Sequence, residues 1–409
     1  MIIKSSETQS LGEICDQVKG IIRTGPFGSQ LHQEDYSEDG IPVVMPKNII
    51  DGHISISDIA RVSEEHIERL SQHKLFEGDI IYGRRGDIGR RALITKKEQG
   101  WLCGTGCIRI SLGNKKVDPV FLYYYLGQPL IIDWIYNQAI GATMPNLNTS
   151  IIRSIHITYP PLPVQHKISS ILSAFDDLIE NNNRRIKILE EMAQTIYREW
   201  FVNFRFPGYE NVMMVKSELG MIPEGWEVVA LGDVVEIRKG INITKKTIKE
   251  GFVPVVAGGL TAAYYHDQAN TRFPVIAVSA SGANAGFVNL YQEDIWASDC
   301  SFIDAEATPF VYYFYLLLKH RQIEVSRLQR GAAQPHVYTK DLMRLEVNSV
   351  PAEVLERFGK AIVPLFSLKG ILAMKNTNLR KTRDLLLPRL ISGAIDVDGM
   401  DIDIEEVKL

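Results

Sequence analysis

A glycine-rich stretch, Gly83-x-x-Gly86-x-x-Gly89, is where residue types and spacing come nearest to a chemical function. Glycines let a main chain approach a phosphate group closely, and arginines supply charge that binds one. Four arginines lie within or beside this stretch: Arg84, Arg85, Arg90 and Arg91. The spacing is not that of a dinucleotide-binding fingerprint, and the chain has no Gly-x-x-x-x-Gly-Lys-Ser/Thr loop. An ATP-driven motor is therefore not expected.

Two other patterns suggest catalysis or metal binding, but each lacks a required residue. The segment Tyr159-Pro-Pro-Leu-Pro163 resembles the Asn/Asp-Pro-Pro-Tyr motif of amino methyltransferases, yet Thr158 stands where an amide or carboxylate is needed. Cys103 and Cys107 have no second His or Cys pair at zinc spacing nearby, so we interpret them as small buried side chains. No paired carboxylates and no Ser/His/Asp set stand out. The sequence predicts a binding protein without a metal, not a catalyst.

Composition restricts the chain to ordinary globular proteins of more than one domain. Its 409 residues can form two or more cores, and its net charge of −4 means that any basic binding surface is local. Its four cysteines are few and scattered, which favours a reducing compartment. The polar N-terminus predicts no signal peptide, and the strongest apolar run, 310–318, is too short to span a bilayer. We therefore expect a cytoplasmic protein.

The elements that must position any binding residues occur twice. The pattern Gly141-Ala142-x-x-Pro145-x-x-x-Thr149 recurs as Gly331-Ala332-x-x-Pro335-x-x-x-Thr339, at an offset of 190. Upstream, Leu11-Gly-Glu13 and Lys19-Gly20 match Leu231-Gly-Asp233 and Lys239-Gly240 at an offset of 220. Short apolar runs between Gly-rich turns predict strands in both copies. The repeat predicts two modules of one fold, whose different loops bind different things.

Domain boundaries follow from this repeat and from the proline and glycine residues at the junctions. We expect a first module at 1–158, a central spacer helix at 159–205 and a linker at 206–221. A second module at 222–350, a distal spacer helix at 351–393 and a C-terminal tail at 394–409 follow.

Each module runs into a helix with a heptad pattern. Seam positions from Ile168 to Trp200, all apolar except Asn182, alternate in steps of four and three. The pattern keeps its frame from Phe358 to Leu386, where Asn376 and the basic residues Lys369 and Arg383 interrupt the apolar positions. A sustained period of 3.5 residues predicts a coiled coil. Two ordinary amphipathic core helices are the alternative.

Two asparagines on these helices suggest how the helices pair. In an intramolecular antiparallel pairing, Asn182 lies opposite Asn376 and Leu172 opposite Leu386. Because a buried polar pair fixes register at a cost in stability, we hypothesise that the two amides set the register. The alternative is that both amides reach solvent.

Three stretches carry a resemblance to a known family. They are the end of the central helix at 189–204 with its Trp200-Phe201 pair, the C-terminal segment at 379–393, and Gly25-Pro-Phe-Gly-Ser-Gln-Leu31 followed by Gly40-Ile-Pro-Val-Val. Over essentially the whole chain, the layout resembles the specificity (S) subunit of type I restriction–modification systems. One departure is Val164, which stands where the family pattern has an acidic residue.

The resemblance implies an α+β fold with two similar target-recognition domains of mixed strands and short helices. Two long helices separate these domains and form an intramolecular antiparallel coiled coil with a pseudo-twofold axis. A helix over 165–203 is about 57 Å long, so the pair would set the spacing between two half-sites on double-stranded DNA. Two methyltransferase (M) subunits and the restriction/translocase (R) subunits are the implied partners. The chain itself would be non-catalytic and hold no cofactor, since S-adenosylmethionine and ATP belong to those partners.

Under the same resemblance, donors in equivalent loops become candidates for contacts with DNA bases or phosphates. In the first module they are Ser29, Gln30, Lys47, Asn48, Arg84, Arg85, Thr143 and Asn146. In the second module they are Arg238, Lys239, Lys245, Lys246, Ser279, Ser281, Asn284, Gln334 and His336. For any single Lys or Arg, a solvated surface charge is an equally good interpretation. A protein-interaction scaffold with a coiled-coil spacer, or the recognition part of a DNA methyltransferase–nuclease, are the alternative functions.

Overall fold

The computed structural model describes residues 6–85, 89–138, 147–331 and 334–401. Two compact units divide the chain, Met1–Glu180 with Asn376–Leu409 and Asn181–Lys375. The predicted α+β class, with two similar domains separated by a long helix, is confirmed. Over the described ranges, no helix is both long and apolar enough to cross a membrane.

The first module consists of short strands and helices that lead into a long helix. Its strands are β1 Glu7–Ser10, β2 Ile21–Thr24, β3 Tyr36–Ser37, β4 Ile41–Val44, β5 Ile49–Ile50, β6 His53–Ile54, β7 Ala60–Val62, β8 Ile80–Gly83, β9 Arg91–Leu93, β10 Leu102–Cys103, β11 Cys107–Ser111 and β12 His156–Tyr159. Its helices are α1 Leu11–Val18, α2 Glu64–Arg69, α3 Pro119–Tyr125, α4 Pro129–Gln138 and α5 Thr149–Arg153, and the long helix α6 Leu162–Tyr197 follows.

An antiparallel sheet with the strand order β2-β11-β8-β9 forms the centre of the first module. Strand β8 is apolar at every position because both faces of the sheet are covered. Ile80 and Tyr82 point into one cluster with Leu11 and Phe121, whereas Ile81 lies in a second cluster. A second sheet, β10-β4-β7-β3, packs beside it and carries the loops that matter for the site.

The second module is built in the same way and leads into the other long helix. Its strands are β13 Met214–Ser217, β14 Gly220–Pro223, β15 Glu227–Ala230, β16 Arg238–Lys239, β17 Val253–Val256, β18 Tyr264–His266, β19 Val275–Ser279, β20 Val288–Tyr291, β21 Trp296–Ala297, β22 Cys300–Ile303 and β23 Glu346–Ser349. Its helices are α7 Leu231–Val234, α8 Val311–His320, α9 Gln322–Arg327 and α10 Thr339–Met343, and the long helix α11 Ala352–Ile391 follows.

The two modules share one topology. The order β16-β22-β19-β20 reproduces β2-β11-β8-β9, and β21 pairs parallel with β17 as β10 does with β4. Strand β1 pairs antiparallel with β12, Glu7 opposite Tyr159, and β15 pairs antiparallel with β23, Glu227 opposite Ser349. Glu7 and Glu227 are 220 residues apart in the chain, and Tyr159 and Ser349 are 190 apart. These are the two offsets found in the sequence. The repeat therefore includes the pairing that closes each module.

One sequence match inside the repeat is wrong. Gly240 donates its N–H to Cys300 O at 2.8 Å, and the equivalent bond in the first module runs from Gly25 to Cys107 O at 2.9 Å. Gly25 is thus the structural counterpart of Gly240, and Gly20 is not. The Lys-Gly pairs matched at an offset of 220 only by chance, because the segment before β2 is five residues longer than the segment before β16.

The repeat continues past the long helices. Arg357 donates to Pro207 O at 3.3 Å, and Lys167 donates to Val397 O at the same distance. The two donors are related by the offset of 190, and so are the two acceptors. In each unit, a basic side chain near the start of one long helix thus binds the segment that follows the end of the other long helix.

The long helices pack antiparallel within each unit. In the first unit Arg383 pairs with Asp176, and in the second Lys369 Nζ lies 2.5 Å from Glu190 Oε1. The register predicted from the asparagines places residue 382 opposite Asp176 and residue 368 opposite Glu190. Each basic residue lies one position further along α11. In the second unit, α6 ends in a π-helical turn, Arg198–Val202, that places the Phe201 ring 4.7 Å from the Phe358 ring.

The asparagines are buried, 9% exposed for Asn182 and 2% for Asn376. The Nδ2 atom of Asn376 lies 3.5 Å from Ile179 O. Burial agrees with a seam position for each residue, while the pairing of one amide with the other stays a prediction.

Replacing Phe358 with alanine should lower the free energy of unfolding by about 3–5 kcal/mol, because its fully buried ring packs on Tyr197, Trp200, Phe201 and Tyr313. Ile371→Ala on the same helix is the matched control. Its side chain is 51% exposed, so we expect a change of no more than about 0.5 kcal/mol. Urea denaturation of the full chain measures both, and equal losses would contradict this description of the core.

Candidate nucleic-acid interface

In each module, the described parts of four loops meet at one end of the central sheet. We define the loop cluster of the first module as 25–35, 45–48, 84–90 and 139–148, and that of the second as 238–252, 257–263, 279–287 and 331–338. Each cluster includes the turn that joins its loops, 104–106 in the first module and 298–299 in the second. The last loop of each set contains the Gly-Ala-x-x-Pro motif. Of these loops, residues 86–88, 139–146 and 332–333 lie outside the described residues.

A short turn between β10 and β11 joins the loops of the first cluster. Gly104 N donates to Val44 O at 2.9 Å, and Arg84 N donates to Gly106 O at 2.8 Å. Leu147 N then donates to Arg84 O at 2.9 Å, which attaches the end of the motif loop. An added Cβ on Gly25 would overlap the carbonyl of Gly104. The loops are therefore fixed by main-chain contacts that do not depend on their side chains.

The second cluster has the same bonds around the turn between β21 and β22. Ser298 N donates to Val256 O at 2.8 Å, and Ala280 N donates to Asp299 O at 3.1 Å. Val337 N donates to Ala280 O at 2.9 Å, as Leu147 does to Arg84. An added Cβ on Gly240 would overlap the carbonyl of Ser298. Both modules thus present different side chains from one main-chain scaffold.

In the first cluster, the predicted residues divide into exposed and internal ones. Ser29, Lys47 and Arg85 are exposed. Asn48 is buried, and its side-chain oxygen accepts from Met45 N at 3.0 Å, so it shapes the turn. The side-chain oxygen of Gln30 accepts from Phe27 N at 3.1 Å. Thr143 and Asn146 lie outside the described residues.

Arg84 is the best-placed basic residue of the first cluster. Its Nε donates to Leu147 O at 3.0 Å, which holds the guanidinium beside the motif loop. Partial burial lowers the pKa of Arg84, and the charge of Arg85 lowers it further. Even so, an arginine stays protonated at neutral pH. The pair therefore concentrates positive charge at the loop that the sequence singled out as a possible anion-binding turn.

In the second cluster, one basic residue is bound to acidic residues of the protein and three are exposed to solvent. Arg238 is engaged within the protein, since it pairs with Asp304 and lies 3.3 Å from Glu306. Lys239, Lys245 and Lys246 are exposed, and Lys245 Nζ lies 5.4 Å from the Tyr264 ring. The three lysines can therefore reach a ligand, whereas Arg238 orders the strand that leads into the cluster.

The polar residues of the second cluster surround the 280–287 turn. The Ser279 hydroxyl is buried and donates to Gly258 O at 3.1 Å, and the Ser281 hydroxyl donates to Asp299. Asn284 is half-buried, and Gln334 is exposed. His336 exchanges two main-chain hydrogen bonds of 2.8 Å with Arg330 and is half-buried.

Sequence reasoning missed two members of the second cluster. Asp299 occupies the place of Gly106, since its main-chain oxygen accepts from Ala280 N as that of Gly106 accepts from Arg84 N. Its carboxylate accepts from the Ser281 hydroxyl, a role that no local sequence pattern predicts. Gly258 is needed because a Cβ there would meet Ser281 O at 2.6 Å. Its glycine pair with Gly259 is the signal that could have identified it.

The described part of the chain contains no group of three or more His, Cys, Asp or Glu side chains that could hold a metal ion. Burial raises the pKa of Cys103 and of Cys300 to about 12, so both thiols are neutral and inert. The arrangement offers hydrogen-bond donors, acceptors and positive charge, which suits recognition of a polar, anionic surface.

Comparison with known proteins gives the family. The model of the type I restriction modification DNA specificity domain matches residues 4–191 and 223–367, one copy for each module. The chain belongs to this family.

Relatives of this specificity-domain family match along most of the chain. The type I restriction enzyme MjaIX specificity subunit of Methanocaldococcus jannaschii is 27% identical over 392 residues, which cover 90% of this chain and 89% of that protein. The type I restriction enzyme HindI specificity subunit of Haemophilus influenzae is 21% identical and covers 78% of this chain and 87% of its own. The crystal structure of a type I restriction–modification S subunit from M. genitalium shares the fold, with a TM-score of 0.57, 17% identity and coverage of 94% and 96%.

Gly25→Ala should lower the free energy of unfolding by about 1–3 kcal/mol, because the new Cβ displaces the turn that joins the loops of this specificity domain. Gly28→Ala is the matched control in the same loop. No atom lies within 4 Å of its added Cβ, so we expect no loss of stability. Denaturant unfolding of both variants provides the comparison. If Gly25→Ala were as stable as Gly28→Ala, the close approach of the two main chains would be refuted.

Proposed function

We propose that this chain is the DNA specificity subunit of a type I restriction–modification complex. Each module reads one half of a split target through its loop cluster. One observation carries the proposal: two clusters share the same main-chain hydrogen bonds but differ in side chains, in a chain whose two modules both match the DNA specificity domain. Such an arrangement keeps the approach to DNA constant while changing the bases that are read.

The two clusters favour different readout. Arg84, Arg85 and Lys47 of the first cluster are donors only, which suits the acceptor atoms N7 and O6 of guanine or phosphate oxygens. Arg84 uses Nε to bind Leu147, so its terminal nitrogens are the donors available to DNA. Asn284 and Gln334 of the second cluster can both donate and accept, which suits adenine, since adenine presents an acceptor and a donor side by side. The Ser281 hydroxyl donates to Asp299, so it can only accept from DNA.

Residues that the protein already engages have a different role in this proposal. Asn48, Ser279 and Arg238 shape and hold the loops, whereas Ser29, Gln30, Lys239, Lys245, Lys246 and His336 supply further contacts to the duplex. The exposed lysines suit phosphates, which position the module without reading sequence. Thr143 and Asn146 keep their proposed role as DNA contacts, because they belong to the first module's motif loop, the counterpart of 331–338.

The long helices act as the spacer and as the docking surface for two M subunits, with R subunits joining them. Large apolar side chains remain exposed on both helices: Leu178, Ile188, Met192, Val363, Leu368, Ile371, Met374 and Leu385. So many exposed apolar residues on two helices favour a protein partner. Methyl transfer and ATP-driven steps belong to those partners, so the chain itself is a non-catalytic subunit without a cofactor.

Mapping of methylated adenines tests this function. Cells that express the chain together with its methyltransferase partner should methylate one split motif with a fixed gap, because two modules on one chain read two half-sites. Cells that express the partner alone are the control and should lack that motif. The proposal is wrong if the assembled complex methylates no motif, or if the same motif appears without the chain.

A further inference from the structure

A charged cavity of about 340 Å³ lies in the second module, next to the neck of the motif loop. Its charged lining consists of Arg327, Arg330, Arg344 and Asp341, three positive charges and one negative. We call this site the arginine pocket. None of its residues belongs to the contacts predicted from the sequence.

The pocket is joined to the loop cluster through the main chain. Arg330 exchanges two hydrogen bonds of 2.8 Å with His336, and Gln329 Nε2 donates to Ala285 O at 2.7 Å in the 280–287 turn. Buried Asp341 accepts from Arg330 Nη2 at 2.7 Å and so fixes the direction of that guanidinium. A ligand in the pocket is therefore held at a defined distance from the loops.

The other two arginines carry charge that the protein does not neutralise. Arg327 ends α9 and Arg344 follows α10, and both are exposed. Within the described ranges, neither side chain makes an ion pair or a hydrogen bond. One carboxylate faces three guanidinium groups, so the pocket keeps a net positive charge that an anion would balance.

The fold itself does not require these charges. The first module has the same topology, and there the offset of 190 places Asn137 and Ser154 at the positions of Arg327 and Arg344. Basic residues at helix ends can complement the helix dipole, but in the first module Arg153 does this in the last turn of α5, where it pairs with Asp16. Unpaired arginines at these two positions thus belong to the second module alone.

We propose that the arginine pocket binds a phosphate group of the DNA backbone beside the second half-site. This inference rests on the proposed function and adds a site to it. Guanidinium groups bind phosphate oxygens through paired N–H donors, and the cavity is large enough for a phosphodiester. Such a contact carries no base information. Its role is to position the second loop cluster over the bases.

The double variant Arg327→Gln/Arg344→Gln tests the pocket and leaves the Arg330–Asp341 pair intact, so no buried carboxylate loses its partner. The full chain, assembled with its methyltransferase partner, is titrated with a duplex that carries the mapped target and with a duplex whose half-sites are scrambled. Each titration is repeated between about 50 and 200 mM salt. Binding to both duplexes should weaken by the same factor, about tenfold. The slope of log K against log salt should become shallower by about 0.9 for one lost phosphate contact.

The variant Arg327→Lys/Arg344→Lys is the matched control, since it keeps the charge and should keep the salt slope. Unchanged affinity and slope in the Gln variant would overturn the pocket, and so would a loss confined to the target duplex. A lower unfolding midpoint with unchanged affinity would show that the arginines only stabilise the fold. Failure of the unmodified complex to discriminate between the duplexes would instead contradict the proposed function.

Discussion

Main-chain hydrogen bonds around one short turn in each module hold four loops at the same end of a sheet, and the position of every candidate DNA contact depends on them. In the first module the turn is Gly104–Gly106, and in the second it is Ser298–Asp299. Because these bonds do not involve side chains, the residues that face the ligand can differ without changing the scaffold. Glycine is required only where main chains meet, as at Gly25 and Gly240. This constraint explains how one fold presents arginines in one module and hydroxyl, amide and carboxylate groups in the other.

The architecture was predictable from the sequence because it depends on patterns that extend over many residues. The offsets of 190 and 220 correspond to the strands that close each module, and the heptads correspond to α6 and α11. Individual contacts were less predictable. A match of two residues placed Gly20 opposite Gly240, whereas the strand pairing places Gly25 there. Asn48, Ser279 and Arg238 are polar residues in the correct loops, yet their partners lie inside the protein, and only the three-dimensional structure shows this.

Charge along the long helices adds information that the heptad pattern lacks. In each unit the ion pair between them has its acid on α6 and its base on α11: Asp176 with Arg383, and Glu190 with Lys369. Apolar seams alone permit several registers, and flanking charges of opposite sign favour one of them. Lys369 and Arg383 interrupt the apolar seam in the sequence. Their acidic partners on α6 give a physical reason for those interruptions.

Exchange of one module tests the central claim, that each loop cluster reads its own half-site, most directly. Residues 1–158 are replaced by the equivalent module of a family member with a different target, and methylated adenines are mapped in cells that also express the methyltransferase partner. The account predicts a motif in which one half changes while the other half and the gap are kept. A motif that changes in both halves, or in neither, would contradict it.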